Sequence, residues 1–156
     1  MKKNKILSKN LKVLMLSLDR TLLGEKSGGD ARERHQIYGQ YVERLDIIIP
    51  TLKGFSSYQI SSNVWAHPTN SYSKILYGFD LYQLGKKLFQ EHNYHLLITQ
   101  DFLAWIGYFL KRKLKIPLLV SCHSDFLDNP YWRKESWFNP FLELLIKFSL
   151  KRADGV

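Results

Sequence analysis

Short, nearly continuous apolar runs that alternate with helical stretches constrain this chain more than any other feature of it. Val13-Leu14-Met15-Leu16-Ser17-Leu18 is one such run. Ile47-Ile48-Ile49, closed by Pro50, is a second. His95-Leu96-Leu97-Ile98-Thr99 and Leu118-Leu119-Val120-Ser121-Cys122, the latter after the breaker Pro117, complete the set. Runs this short and this apolar suit strands buried on both faces, as in a parallel sheet. Helical signals lie between them. Asp30 is a plausible cap for a helix over Ala31 to Val42. Ser73 precedes a second over Lys74 to Glu91, in which Tyr77, Leu81, Leu84 and Leu88 fall on one face. Phe102 to Lys113 reads as a third. Asn139 as cap, with Pro140 at the first helical position, opens a fourth over Phe141 to about Arg152. Lys147, Lys151 and Arg152 suit its C-terminal end.

Residues 51 to 72 are rich in Ser, Asn, Gly and Tyr and read as loop, with a weak strand near Val64-Trp65-Ala66. Ala153-Asp154-Gly155-Val156 reads as the opening of a further strand. Strands alternating with helices imply right-handed βαβ units. The expected fold is therefore α/β, a three-layer α/β/α Rossmann-like domain with a mostly parallel sheet. It is expected to span residues 11–156, after a basic lead-in over residues 1–10.

A length of 156 residues argues for one domain, and 45% hydrophobic residues are enough to build its core. The net charge of +9 favours anionic partners, whether nucleic acid, phosphorylated ligands or an acidic membrane face, and fits a solvated basic surface equally well. Cys122 is the single cysteine, so no internal disulfide demands an oxidising compartment. Met1-Lys2-Lys3-Asn4-Lys5 begins like a signal peptide, but the apolar run that follows is too short and lacks a cleavage site. No stretch approaches the roughly 20 apolar residues that span a bilayer. A cytoplasmic protein is expected.

Ligands of open parallel sheets bind beyond the carboxyl ends of the strands. Asp19, Gly28, Gly29, Gln100, Asp101, His123 and Asp125 all fall just past expected strand ends, so they should converge on one crevice. Gly28-Gly29, ahead of a helix, either present backbone N–H groups to a phosphate or form a simple turn. His123 either meets a ligand or bonds a loop carbonyl. Asp125 orients His123, binds a ligand hydroxyl or caps a turn, and Asp101 has the same three readings. Arg20 can grip a phosphate or lie in solvent. Arg32 and Arg34 sit in a first helical turn, where cations are disfavoured, which hints at an anionic partner. Cys122 reads as core, because adjacent strand residues point to opposite faces and keep it from His123. His123, Asp125 and Asp128 match no metal-ligand pattern.

Three segments in order resemble the N-terminal domain of glycosyltransferase family 4. They are the first strand with its Ser27-Gly28-Gly29 loop, the strand HLLITQD over residues 95–101, and KLKIPLLVSCHSDF over residues 113–126. The terminal KRADGV adds a fourth. The chain departs from the pattern in running Tyr41 to Asp46 straight into the second strand and in carrying Ser124 after His123.

The resemblance implies the acceptor-side half of a two-domain, retaining transferase, with a nucleotide-sugar donor as substrate, no cofactor and no metal. The absence of an Asp-x-Asp motif accords with that. It implies His123 at the reaction centre and Gly28-Gly29 toward the donor diphosphate; Arg20 is assigned to the same diphosphate from its own chemistry, and Gln100, Asp101 and Asp125 to the acceptor from their place at strand ends. It also implies a glycan or lipid-linked acceptor, a role in cell-envelope polysaccharide synthesis, and a separate or missing C-terminal donor-binding domain or subunit without which the chain is inactive. A peripheral location on the inner membrane face would follow.

Two surface features point elsewhere. Phe102 to Lys115 joins an aromatic helix to Lys111, Arg112, Lys113 and Lys115, which can dock on an anionic membrane or simply cover the sheet. Tyr131-Trp132-Arg133-Lys134 with Trp137-Phe138 can line an acceptor groove or form a loop cluster. The rival functional reading is a non-catalytic module that binds a membrane or a partner. A nucleic-acid-binding domain ranks last, since no recognised motif for it is present, and none is expected as partner.

Overall fold

The computed structural model describes residues 10–24, 30–123 and 127–156. Within them the strands are β1 (Lys12–Leu16), β2 (Arg44–Ile49), β3 (Tyr58–Ser61), β4 (Val64–Pro68), β5 (Leu96–Gln100) and β6 (Leu118–Ser121). The helices are α1 (Ala31–Gly39), α2 (Tyr77–His92), α3 (Ala104–Leu114), α4 (Pro130–Glu135) and α5 (Asn139–Leu150). The six strands form one sheet in the order β3-β4-β2-β1-β5-β6. Every pairing is parallel except the edge hairpin β3–β4. Beyond β6 a parallel bridge joins Leu119 to Gly155, so the terminal segment does begin a further pairing.

The sheet is buried on two faces because its strands carry apolar side chains at successive positions. Leu14, Leu16, Ile48, Leu97, Leu118 and Val120 face a core built with α2, α3 and α5. Val13, Met15, Leu45, Ile47, Ile49, Val64 and Ala66 face a second core with Ala31, Leu22 and Leu23. The result is the expected α/β architecture with helices on both sides of the sheet. Two glycines allow the closest approaches. A Cβ on Gly39 would stand 2.6 Å from Val64, and one on Gly107 would stand 2.4 Å from Thr99. The first lets α1 end against β4, and the second lays α3 directly on β5.

Several boundaries differ from the sequence reading for identifiable reasons. The 51–72 loop contains the β3–β4 hairpin, whose outer strand exposes Tyr58 and Gln59 and so lacks an apolar signature. The first helix stops at Gly39, three residues early, where Asn63 Nδ2 donates to the carbonyls of Gly39 and Val42. Asp30 makes no side-chain cap and pairs instead with Arg34. Asn129-Pro130, not Asn139-Pro140, is the asparagine-capped proline start: Asn129 accepts from the amides of Tyr131 and Trp132. Asn139 lies inside the first turn of α5 and donates to the Trp132 carbonyl. Cys122 is exposed, not core, because β6 ends at Ser121 and the alternation stops with it.

On the α2 side, a polar knot interrupts the core. Asp46 is fully buried in β2. Arg44 donates to both of its carboxylate oxygens, His67 Nε2 lies 2.8 Å from Oδ1, and the Tyr94 hydroxyl donates to Oδ2 at 2.5 Å. Burial alone would raise the Asp46 pKa, but these three partners hold it down at about 2. Burial and the same carboxylate push the Tyr94 phenol up.

Candidate active-site groove

Helix α1 lies over the β3–β4 side of the sheet and leaves β5 and β6 uncovered on that face. Leu119 of β6 is 39% exposed there. The resulting groove has a volume of about 710 Å³. Its floor is Val13, Met15, Leu45 and Ile98. One wall is the Arg34, His35 and Tyr38 side of α1, and its mouth at the carboxyl ends of β1, β5 and β6 carries Asp19, Gln100, Asp101, Ser121 and His123.

The mouth is organised by hydrogen bonds that cross between neighbouring strand ends. Ser17, fully buried after β1, donates to Gln100 Oε1 at 2.7 Å and accepts from the Asp19 amide at 3.2 Å. Asp19 Oδ1 in turn accepts from the Thr21 amide and hydroxyl, closing the turn over Arg20–Leu23. Asp101 follows β5 in the left-handed region, at φ 45°. Such a backbone is uncommon outside glycine and is tolerated best by Asn and Asp. It aims a buried carboxylate at β6, where Oδ1 accepts from the His123 amide at 2.6 Å. His123 Nε2 lies 2.9 Å from Ser121 Oγ, and the ring is exposed at the mouth. Beside it, partial desolvation of the sulfur and the Asp101 charge raise the Cys122 thiol above its ordinary pKa, which makes it a poor nucleophile.

The expected convergence therefore holds for Asp19, Gln100, Asp101 and His123, which share one mouth. Arg20 is exposed on the 20–23 turn and does not line the groove. Gly28, Gly29 and Asp125 lie outside the described residues. The odd position of Arg32 has a structural cause: its Nε donates to the Thr21 carbonyl at 3.0 Å, and the guanidinium lies over the Tyr58 ring. Arg34 does face the groove.

Sequence reasoning missed Ser17 and His35. Ser17 looked like one more residue of an apolar run. His35, within a helix of polar residues, carries no signal in the sequence, yet only 5% of it is exposed. Its Nδ1 lies 2.6 Å from the Ala31 carbonyl, while Nε2 is buried and has no hydrogen-bond partner among the described residues. Burial lowers its pKa, so the ring is neutral at pH 7, with Nδ1 the donor and Nε2 an acceptor.

A mostly parallel α/β sheet with a polar mouth at its carboxyl edge defines an open-sheet, Rossmann-like domain, the class in which ligands are received in the crevice beyond the strand ends. The particular family follows from comparison: a family model described as Glycosyltransferase Family 4 matches residues 42–156. The chain belongs to that family. Sucrose-phosphate synthase from Thermosynechococcus elongatus is a structural neighbour, with a TM-score of 0.67 at 15% identity over 93% of this chain. A second structure of that synthase matches with a TM-score of 0.62 at 14% identity over 92% of this chain, and covers 73% of that shorter chain. The chain spans 41% of the length of the first neighbour. No curated protein sequence matches it. Among the described residues no helix is long and apolar enough to cross a membrane.

Proposed function

We propose that this chain is the acceptor-side half of a retaining, metal-independent glycosyltransferase that moves a sugar from a nucleotide-sugar to a hydroxyl of a glycan or lipid-linked acceptor. One observation carries the reading. The Asp101 carboxylate, on a positive-φ residue, reaches across from β5 to hold the His123 backbone at the mouth of the groove. Backbone strain of this kind persists where the surroundings impose it, and it clusters at working sites. It places an exposed imidazole beside an apolar-floored groove wide enough for a sugar-bearing ligand.

In this reading the groove and Gln100 seat the acceptor, and His123 hydrogen-bonds a hydroxyl at the reaction centre. A donor-binding half supplied by further polypeptide or by a partner closes over the mouth. The chemistry is positioning together with stabilisation of the departing diphosphate. Gly28, Gly29 and Arg20 remain the proposed contacts to that diphosphate, Asp125 a further contact to the acceptor, and the cytoplasmic side of a membrane the proposed setting.

The test pairs the chain with a family donor-binding half and offers UDP-, GDP- and ADP-sugars. Transfer with retention of anomeric configuration, unaffected by EDTA and absent from the chain alone, is the expected result. Inversion, loss of activity with EDTA, or full activity of the chain alone would contradict it.

A further inference from the structure

Helix α5 is apolar on both sides. Its inner face buries Ile146, with Leu142 and Leu150 packed against the same core. Its outer face carries Phe141, Leu144 and Phe148, spaced i, i+3 and i+7 on one stripe, and Leu144 is 65% exposed. A helix that is apolar all round is normally buried all round. Just ahead of it stand Trp137, 91% exposed, and Phe138; their rings meet edge-on, and Phe138 in turn meets Phe141 at a tilt. At its far end Phe148 meets Tyr108 of α3, and Tyr108 meets the exposed Phe109. The two aromatic-basic patches of the sequence thus form one band across α3 and α5.

The charges around this band are one-sided. Lys134 stands at one end, and Arg112, Lys113, Lys151 and Arg152 at the other, all exposed. The Arg152 guanidinium lies 3.6 Å from the centre of the Phe148 ring. The acids nearby are engaged elsewhere: Glu143 is buried and bonded to Arg133 and Lys147, Asp128 pairs with the same two cations, and Asp154 pairs with Lys111. Among the described residues, Glu135 is the acid that shares the open surface with the basic rim.

We infer that the α5 face is an interfacial membrane-docking surface, which lays Trp137, Phe141, Leu144 and Phe148 into the headgroup boundary of an anionic bilayer while the basic rim engages its phosphates. Apolar side chains projecting from a cationic rim match an anionic bilayer in both respects. A second copy of the chain would instead set one basic rim against another. The inference rests on the membrane setting proposed above and names the face that meets the bilayer; its failure leaves the transferase reading intact, since α5 lies on the side of the sheet opposite the groove.

The test is co-sedimentation of the 156-residue chain with vesicles of phosphatidylcholine alone and of phosphatidylcholine with phosphatidylglycerol. Binding is expected to the anionic vesicles only, with a blue-shifted tryptophan emission that Trp137→Phe removes. F141S/L144S and K151E/R152E should each weaken binding by about tenfold or more. These side chains are exposed, so near-ultraviolet circular dichroism should remain unchanged and confirm folding. The inference fails if the wild-type chain does not bind, if it binds both vesicles equally, or if neither variant weakens binding. It also fails if sedimentation velocity without lipid shows a dimer that F141S/L144S dissolves, which would assign the face to self-association.

Discussion

Two buried carboxylates in this domain sit in opposite circumstances. Asp46 is enclosed, and Arg44, His67 and Tyr94 between them satisfy both of its oxygens on a face sealed by α2. Asp101 is also buried but opens onto a groove, and one of its oxygens holds the amide of His123 in the neighbouring strand end. A closed network leaves nothing to offer a ligand, so its removal should be felt in stability. An open one arranges groups that still face outward, so its removal should be felt in function. The difference teaches that burial and charge alone do not mark a site; the marker is whether the arrangement ends at an open surface.

The sharpest break of this comparison is Asp46→Ala. It leaves the Arg44 charge and the Tyr94 hydroxyl without their partner, and should cost about 3–5 kcal/mol in urea unfolding. A cost below about 1 kcal/mol would show that the knot is incidental. Acid should produce a related, smaller effect. The Asp46 pKa lies at about 2 in the folded chain against an ordinary 3.8. A depressed carboxylate stabilises above its unfolded pKa, and that contribution is lost as pH falls through the folded value. About 2 kcal/mol should therefore disappear between roughly pH 4 and pH 2, and Asp46→Asn should flatten that step. His35, neutral and buried, weakens the fold on acidification from a higher pH, starting below its ordinary 6.5, so the two contributions separate along the titration. Tyr94→Phe should cost about 1 kcal/mol, the usual worth of one buried hydrogen bond, measured as a shift in urea midpoint. His123→Ala, on an exposed ring, should move stability by less than about 0.5 kcal/mol.

The parallel core was legible because it is written in uninterrupted apolar runs: Val13 to Leu16, Ile47 to Ile49 and Leu96 to Ile98 became the inner strands β1, β2 and β5, and Leu118 to Val120 the end strand β6. The β3–β4 hairpin was legible only in part: β4 showed as a weak strand near Val64-Trp65-Ala66, interrupted by Trp65 and His67, while β3 exposes Tyr58 and Gln59 and gave no signal. Helix α4 escaped notice because six residues give no helical period to read. In the groove, Asp19, Gln100, Asp101 and His123 were legible from one topological rule about strand ends. The positive φ of Asp101 and the orphaned nitrogen of His35 were not, since both arise only when separated segments meet. The knot around Asp46 was invisible for the same reason, its four members lying between positions 44 and 94.

The most direct test of the contrast between open mouth and closed knot is a pair of variants in a transfer assay, with the donor-binding half present and at a temperature well below melting. His123→Ala should lower kcat/KM by about 100-fold at an unchanged melting temperature, while Tyr94→Phe lowers the melting temperature and leaves kcat/KM at the wild-type value. Wild-type transfer by the His123→Ala enzyme would contradict the assignment of the groove mouth as the reaction centre.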